Sequence, residues 1–185
     1  MATSSRWSLT DARCIVTGGS KGLGLACVKE FLELGASVLF TARGEQELST
    51  VAAELSAKHG TSRVHFIAAD VSTSEGRSRI VERASELWDG ALDILVNNAG
   101  MNTRKPAVEF TIGEYEAMVA TNQTSAFFLC TACLPLLRKS TRASVVNVAS
   151  LAGIRSSGTG VPYAMTKAAM VHMSEALACE CARRE

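Results

Sequence analysis

The chain has 185 residues, 47% hydrophobic and 20% charged, the profile of a soluble globular protein with one sizeable core. Its formal net charge of +1 gives no electrostatic reason to expect nucleic acid or an anionic membrane as partner. The longest near-apolar run, Ala126 to Leu137, is too short to span a bilayer and contains Pro135.

In chain order, the opening MATSSRWSLTDAR lacks the apolar core of a secretory signal, which predicts an intracellular, cytoplasmic protein. ARCIVTGG is a short apolar, β-branched run closed by glycines and reads as a buried strand. GLACVKEFLELG has helical periodicity and ends on Gly35, a fitting C-cap. ASVLFTAR is a second strand, EQELSTVAAELSAKHG an amphipathic helix and RVHFIAADV a third strand. Ser72 and Glu75 have the spacing of a capping box ahead of the helix EGRSRIVERASELWDG. LDILVNNAG is a fourth strand, and Thr111 with Glu114 opens a helix through EYEAMVATN, in which Tyr115 reads as packing. A further helix, TSAFFLCTACLPLLRKS, precedes a fifth strand, ASVVNVAS, and a long last helix runs from Tyr163 to the end. Strands alternating with helices predict a parallel sheet with helices on both faces, a doubly wound α/β/α fold forming one domain over 1–185.

Six cysteines are scattered along the chain, and CTAC at 130–133 has the look of a redox or zinc motif. Ala126, Cys130, Cys133 and Leu137 share one helix face, however, and no second pair completes a zinc site, so these sulfurs read as packing. His59, His65 and His172 are dispersed and suggest no chemistry.

The loop TGGSKGLG joins the first strand to the first helix. Gly18, Gly22 and Gly24, with Ser20, Lys21 and Leu23 between them, suit a turn at which a pyrophosphate approaches backbone N–H groups at a helix N-terminus. The second strand ends in Thr41, Ala42 and Arg43, without the acid that would bond a ribose 2′-hydroxyl. Arg43 offers a fork for a 2′-phosphate and Lys21 a second positive charge, which predicts NADP(H). Tyr163 and Lys167 lie one helical turn apart, where an ammonium favours the phenolate and suits a tyrosine to proton transfer near neutral pH. Ser150, at the end of the fifth strand, stands where ligands bind in such sheets and can hydrogen-bond a carbonyl.

TGGSKGLG, NNAG at 97–100, VVNVAS ending in Ser150, and YAMTK occur in order at separations that resemble the short-chain dehydrogenase/reductase family. RWSLTDARCIVTGGSKGLG and TARGEQEL are most similar to its tropinone-reductase-like members. The resemblance implies a Rossmann-type fold and hydride transfer between NADP(H) and a small carbonyl or alcohol, without a metal. It makes Tyr163 the general acid or base and Lys167 its partner and a ligand of the nicotinamide ribose, with Ser150 orienting the carbonyl. Asn122 would position a water behind the lysine; Asn98, Ala99 and Gly100 would line the cofactor groove, and Asp70 and Val71 would flank the adenine. Homo-oligomers through the helices carrying Tyr163 and Cys130 are also implied.

The resemblance stops at ECARRE, where family members continue into a sixth strand, a substrate-covering helix pair and a seventh strand. The expectation is therefore a C-terminally incomplete domain, with an unpaired edge at the fifth strand and an open nicotinamide end. Met101, Asn102, Leu151, Gly153 and Ile154 are candidate substrate contacts. A catalytically incomplete fragment that binds nucleotide weakly or associates with longer relatives is the alternative reading. A methyltransferase would account for the glycines but not for Ser150, Tyr163 and Lys167 together.

Overall fold

A computed structural model of the chain describes residues 7–156 and 158–182. The start of the N-terminal stretch, 1–6, and the last positions of the expected final helix, 183–185, lie outside the described residues. Among the described residues, five strands form one parallel sheet: β1 (Arg13–Thr17), β2 (Ser37–Ala42), β3 (Val64–Ala68), β4 (Ile94–Asn97) and β5 (Ser144–Asn147). Their order is β3-β2-β1-β4-β5, so the winding reverses between β1 and β4 and opens a crevice at the carboxyl ends of those strands.

Six α-helices among the described residues connect and cover the sheet: α1 (Gly22–Glu33), α2 (Glu45–His59), α3 (Ser74–Leu87), α4 (Ile112–Val119), α5 (Ser125–Leu137) and α6 (Val161–Ala182). The alternation of side chains along the strands sorts them into two cores. Val16, Val38 and Phe40 pack with Val28 of α1 and Leu48 of α2 on one face. Ile15, Leu39 and Leu95 pack with Ile80 of α3 and Leu129 and Cys133 of α5 on the other, which makes the sheet doubly wound. Cys130, Cys133 and Leu137 belong to that core, and Ala126 on the same helix face is buried as well.

At the base of the sheet, the buried Asp93 carboxylate accepts bonds from the Arg13 guanidinium (2.8 and 3.1 Å), the Arg13 N–H (2.8 Å) and the Ser140 hydroxyl (2.5 Å). These bonds tie the start of β1 to the residue before β4 and to the loop ahead of β5. Among the described residues β5 pairs only with β4, and Val145 and Val146 are exposed, so the unpaired edge expected at the fifth strand is present.

Three local readings change. The N-cap of α3 is Thr73, not Ser72: Ser72 gives both its hydroxyl (2.7 Å) and its N–H (2.9 Å) to Asp70 Oδ1, and Thr73 Oγ1 accepts from Gly76 N–H at 3.0 Å. The Thr111–Glu114 box forms in both directions, but α4 buries Met118 and leaves Tyr115 exposed. The two helices read at 111–140 are one path, because a π-helical turn, Ala120–Thr124, joins α4 to α5. Ile112–Leu137 is thereby 26 residues, long and apolar enough by length and composition to cross a membrane, with 39% of its apolar window buried in the fold.

Candidate active site

The first half of the site is the β1–α1 turn. Gly18 has φ +66° and Gly22 φ +56°, backbone that side chains with a Cβ rarely adopt. A Cβ on Gly24 would lie 2.1 Å from the Gly18 carbonyl oxygen, so α1 can begin this close to the turn only as glycine. Thr17, which sequence reasoning passed over, holds the arrangement together. It is buried, its hydroxyl donates to Val96 O (3.3 Å), and its oxygen accepts the N–H groups of Asn98 and Ala99, both at 3.0 Å. Asn98 completes the tie by donating to the carbonyls of Thr17 (2.9 Å) and Gly18 (3.2 Å). The signal for Thr17 was its position: a hydroxyl residue closing a buried strand directly before a positive-φ glycine.

These residues open onto a cavity of about 360 Å³ at the crevice. Gly18, Ser20, Lys21, Leu23 and Gly24 line it from the turn, Arg43 from the end of β2, Asp70 and Val71 from beyond β3, and Asn98, Ala99 and Gly100 from beyond β4. Of the predicted turn residues only Gly22 is absent from the lining. Burial raises the Asp70 pKa, but the two bonds from Ser72 and the charge of Arg43 outweigh it and hold the carboxyl below its ordinary value. Ser20 is buried and donates to Glu47 Oε2 at 2.9 Å, which fixes the turn against the first turn of α2. The donor set fits a phosphorylated dinucleotide: a glycine turn at a helix N-terminus at one end, and Lys21 and Arg43 in the same lining.

The second half lies beyond β5. Ser150 and Tyr163 line one cavity of about 290 Å³ together with Asn102, Arg104 and Leu151. Ser150 is the N-cap of a short 3₁₀ turn, and its Oγ accepts the Ala152 N–H at 3.2 Å, which leaves the hydroxyl proton to be donated elsewhere. Tyr163 sits in the first turn of α6, where Pro162 costs no helical hydrogen bond. The Lys167 ammonium is buried, donates to Val148 O at 2.7 Å and lies 5.8 Å from the Tyr163 ring centroid. Burial lowers the pKa of that ammonium.

Asn122 is fully buried in the π turn. Its Oδ1 accepts the Met101 N–H (2.7 Å), and its Nδ2 donates to Met101 O (2.9 Å) and Thr166 Oγ1 (3.1 Å). The side chain therefore pins the loop after β4 to α6 one residue from Lys167. A Cβ on Gly100 would be 3.3 Å from Asn122 Oδ1 and 3.6 Å from Lys167 Nζ, so the three converge. Met101, a candidate substrate contact, lines the first cavity, with both its backbone polar groups held by Asn122. Gly153 and Ile154 line an adjoining cleft of about 770 Å³. Of the sixteen residues singled out for the site, eleven line the first cavity and Ser150 and Tyr163 the second, while Gly22, Asn122 and Lys167 line neither.

A family model described as short chain dehydrogenase matches residues 12–185. A chloroplastic tropinone reductase homologue of Arabidopsis thaliana is 40% identical over 99% of this chain and 56% of its own length. A second homologue from the same plant is 42% identical over 96% of this chain and 66% of its own length. The chain therefore spans less than two thirds of the length of these two curated relatives. Among solved structures, L-sorbose reductase from Gluconobacter frateurii, complexed with NADPH and L-sorbose, matches with a TM-score of 0.90 and 30% identity over 95% of this chain and 66% of that one. A short-chain dehydrogenase/reductase (glucose/ribitol dehydrogenase) from Brucella melitensis matches with a TM-score of 0.89 and 31% identity, over 95% of this chain and 72% of that one.

Proposed function

The chain belongs to the short-chain dehydrogenase family, and on that premise we propose that it is an NADP(H)-dependent oxidoreductase acting on a carbonyl or secondary alcohol, with Tyr163 as general acid and base. The observation that carries this reading is the convergence of Ser150 and Tyr163 on one cavity, with the Lys167 ammonium beneath the phenol.

The glycine turn would hold the pyrophosphate, Lys21 and Arg43 the 2′-phosphate, Asp70 and Val71 the adenine, and Tyr163 and Lys167 the nicotinamide ribose. The cofactor, when bound, supplies or accepts the hydride. Ser150 donates its hydroxyl hydrogen to the substrate oxygen and so fixes the carbonyl. Tyr163 gives its phenolic proton to that oxygen in reduction and takes it back in oxidation. Lys167 places a positive charge under the phenol while the proton leaves, and Asn122 keeps the β4 loop and α6 in register for it.

Three supports favour NADP(H) over NAD(H): no acid stands at the end of β2, Arg43 and Lys21 share a lining, and a structural neighbour was solved with NADPH. A homo-oligomer joined through α5 and α6 also fits, because Phe127, Phe128 and Met165 are exposed on those helices. A second reading, a nucleotide-binding protein without turnover, is favoured by the exposed β5 edge. Oxidation of NADPH in the presence of a ketone panel, run beside a direct NADPH titration, separates the two. Turnover supports the oxidoreductase, binding without turnover supports the second reading, and tighter binding of NADH than NADPH overturns the cofactor assignment.

A further inference from the structure

Arg104 lines the same cavity of about 290 Å³ as Ser150 and Tyr163. It also lines the adjoining cleft of about 770 Å³, into which Arg155 projects from the segment after β5. Neither guanidinium has an ion pair or hydrogen-bonding side-chain partner among the described residues. Lys105, the other cation of the larger cleft, is already neutralised by Glu114, 2.6 Å away. No Asp or Glu lines either space. The amino end of α6 opens on the larger cleft through Gly160 and Val161 and adds the positive end of a 22-residue helix.

The loop that carries Arg104 is held in place. Asn102, two residues earlier, donates to Thr159 Oγ1 at 2.7 Å, and Met101 is fixed from both sides by Asn122. Arg104 is thus an exposed cation without an ion-pair partner among the described residues, on an anchored loop beside the groups proposed to grip the reacting carbonyl. A neutral or cationic substrate would leave it without a counter-charge.

We propose that the substrate is an oxyanion-bearing carbonyl compound, a carboxylate or a phosphate, whose anionic group is bound by Arg104 while its carbonyl meets Ser150 and Tyr163. The proposal rests on the oxidoreductase reading above and adds the chemical class of its substrate. Arg104 is the primary contact, because it alone of the free cations shares the cavity of Ser150 and Tyr163; Arg155 strengthens the field from the neighbouring cleft.

The test uses the full chain, NADPH and matched pairs: oxo acids with the carboxylate one to three carbons from the ketone against their methyl esters, and dihydroxyacetone phosphate against dihydroxyacetone. The anionic member should be reduced with kcat/KM at least about tenfold higher, mainly through KM, and the advantage should shrink as salt rises. Which anion gains more assigns carboxylate or phosphate. R104Q should bring the ratio close to one, R104K should retain part of it, and R155Q should reduce it less than R104Q. A ratio near one in the unaltered protein, or a ratio untouched by R104Q, overturns the proposal. If no ketone of either kind is reduced, the oxidoreductase reading fails, and calorimetry with a 3-hydroxy acid and with inorganic phosphate at low salt decides the anion site. Binding at least about tenfold weaker in R104Q upholds it, and equal or absent binding overturns it.

Discussion

Lys167 sits beneath the ring of Tyr163: the ammonium is 5.8 Å from the phenol centroid and donates to Val148 O at 2.7 Å. Its influence on the phenol is therefore that of a fixed charge, set in place by the carbonyl that follows β5. A buried charge acts over such a distance more strongly than an exposed one, because less water screens it. In the proposed reaction the proton comes from Tyr163. Tyr163→Phe should lower kcat by at least about a thousandfold and weaken NADPH binding by no more than about tenfold, the loss of one hydrogen bond to the ribose. Stopped-flow turnover beside fluorescence titration of NADPH checks both halves, and residual activity near that of the unaltered protein removes Tyr163 from the role.

The charge on Lys167 should also limit activity at high pH. Burial depresses the ammonium pKa, so the group loses its proton as pH rises through a value below the ~10.4 of a free lysine. Activity that depends on the charge is present below that folded-state value and lost above it. The profile of kcat/KM against pH should fall on an alkaline limb lying below ~10.4. Lys167→Met should abolish the activity at every pH instead of shifting the limb, and a variant that keeps the same limb would assign it to another group.

Arg43 is expected to discriminate between the two nicotinamide cofactors. Its guanidinium shares a lining with Lys21, and a charge-assisted bond to a phosphate that only one cofactor carries contributes to that cofactor alone. Arg43→Ala should weaken NADPH binding by about tenfold to a hundredfold and change NADH binding little. Paired calorimetric titrations measure this, and equal losses for the two cofactors would show that Arg43 serves the fold of the loop.

The five strands and the helices between them were legible because each strand is a short apolar run closed by glycine, asparagine or a charge. The turn glycines, Ser150, Tyr163 and Lys167 were legible because their chemistry is tied to local spacing. What stayed hidden depends on partners far away in sequence. Asn122 is singled out by the resemblance alone; only its bonds to Met101 and Thr166 show why a π turn, rather than a break, carries the chain through. Thr17 is an ordinary strand residue until Asn98 and Ala99, more than eighty residues on, are brought to its oxygen. Thr73 displaced Ser72 as the cap because Asp70 competes for the Ser72 hydroxyl, a local contest that spacing alone cannot judge. Arg104 carried no motif, and its place in the cavity of Ser150 follows from the packing of the loop after β4.

The cysteines should separate sharply by reactivity. Burial pushes Cys14 and Cys133 up to about 12 and Cys130 up to about 11, whereas Cys179 and Cys181 are exposed on the last turns of α6. The thiolate is the reactive form, so the three core thiols should resist a disulfide reagent at pH 8 in the native protein. Two thiols should react within minutes, Cys27 more slowly, and all six only after denaturation. Rapid labelling of Cys130 or Cys133, located by peptide mapping, would contradict their place in the core.

The Asp93 carboxylate sets the acid limit of the fold. Although burial opposes its charge, the bonds from Arg13 and Ser140 and the Arg13 charge hold its pKa well below the usual carboxylate range. A group whose folded pKa is depressed contributes stability above its unfolded value, near ~3.9, and that contribution is lost as pH falls toward the folded value. Unfolding free energy should thus hold its Asp93 contribution down to about pH 5 and decline steadily below about pH 4. Asp93→Asn keeps the shape, removes the charge and leaves the Arg13 guanidinium with a neutral partner. Because Arg13 is 31% exposed while Asp93 is 3% exposed, water takes up part of the loss. A cost of about 2–3 kcal/mol at pH 7 is expected, below what a fully buried pair would forfeit. Urea unfolding across pH 3–7 should show a flatter acid limb for the variant, with the two curves converging as pH falls. Parallel curves would mean that other carboxylates govern the acid transition and that the contact of β1 with the loop ahead of β5 holds without the charge.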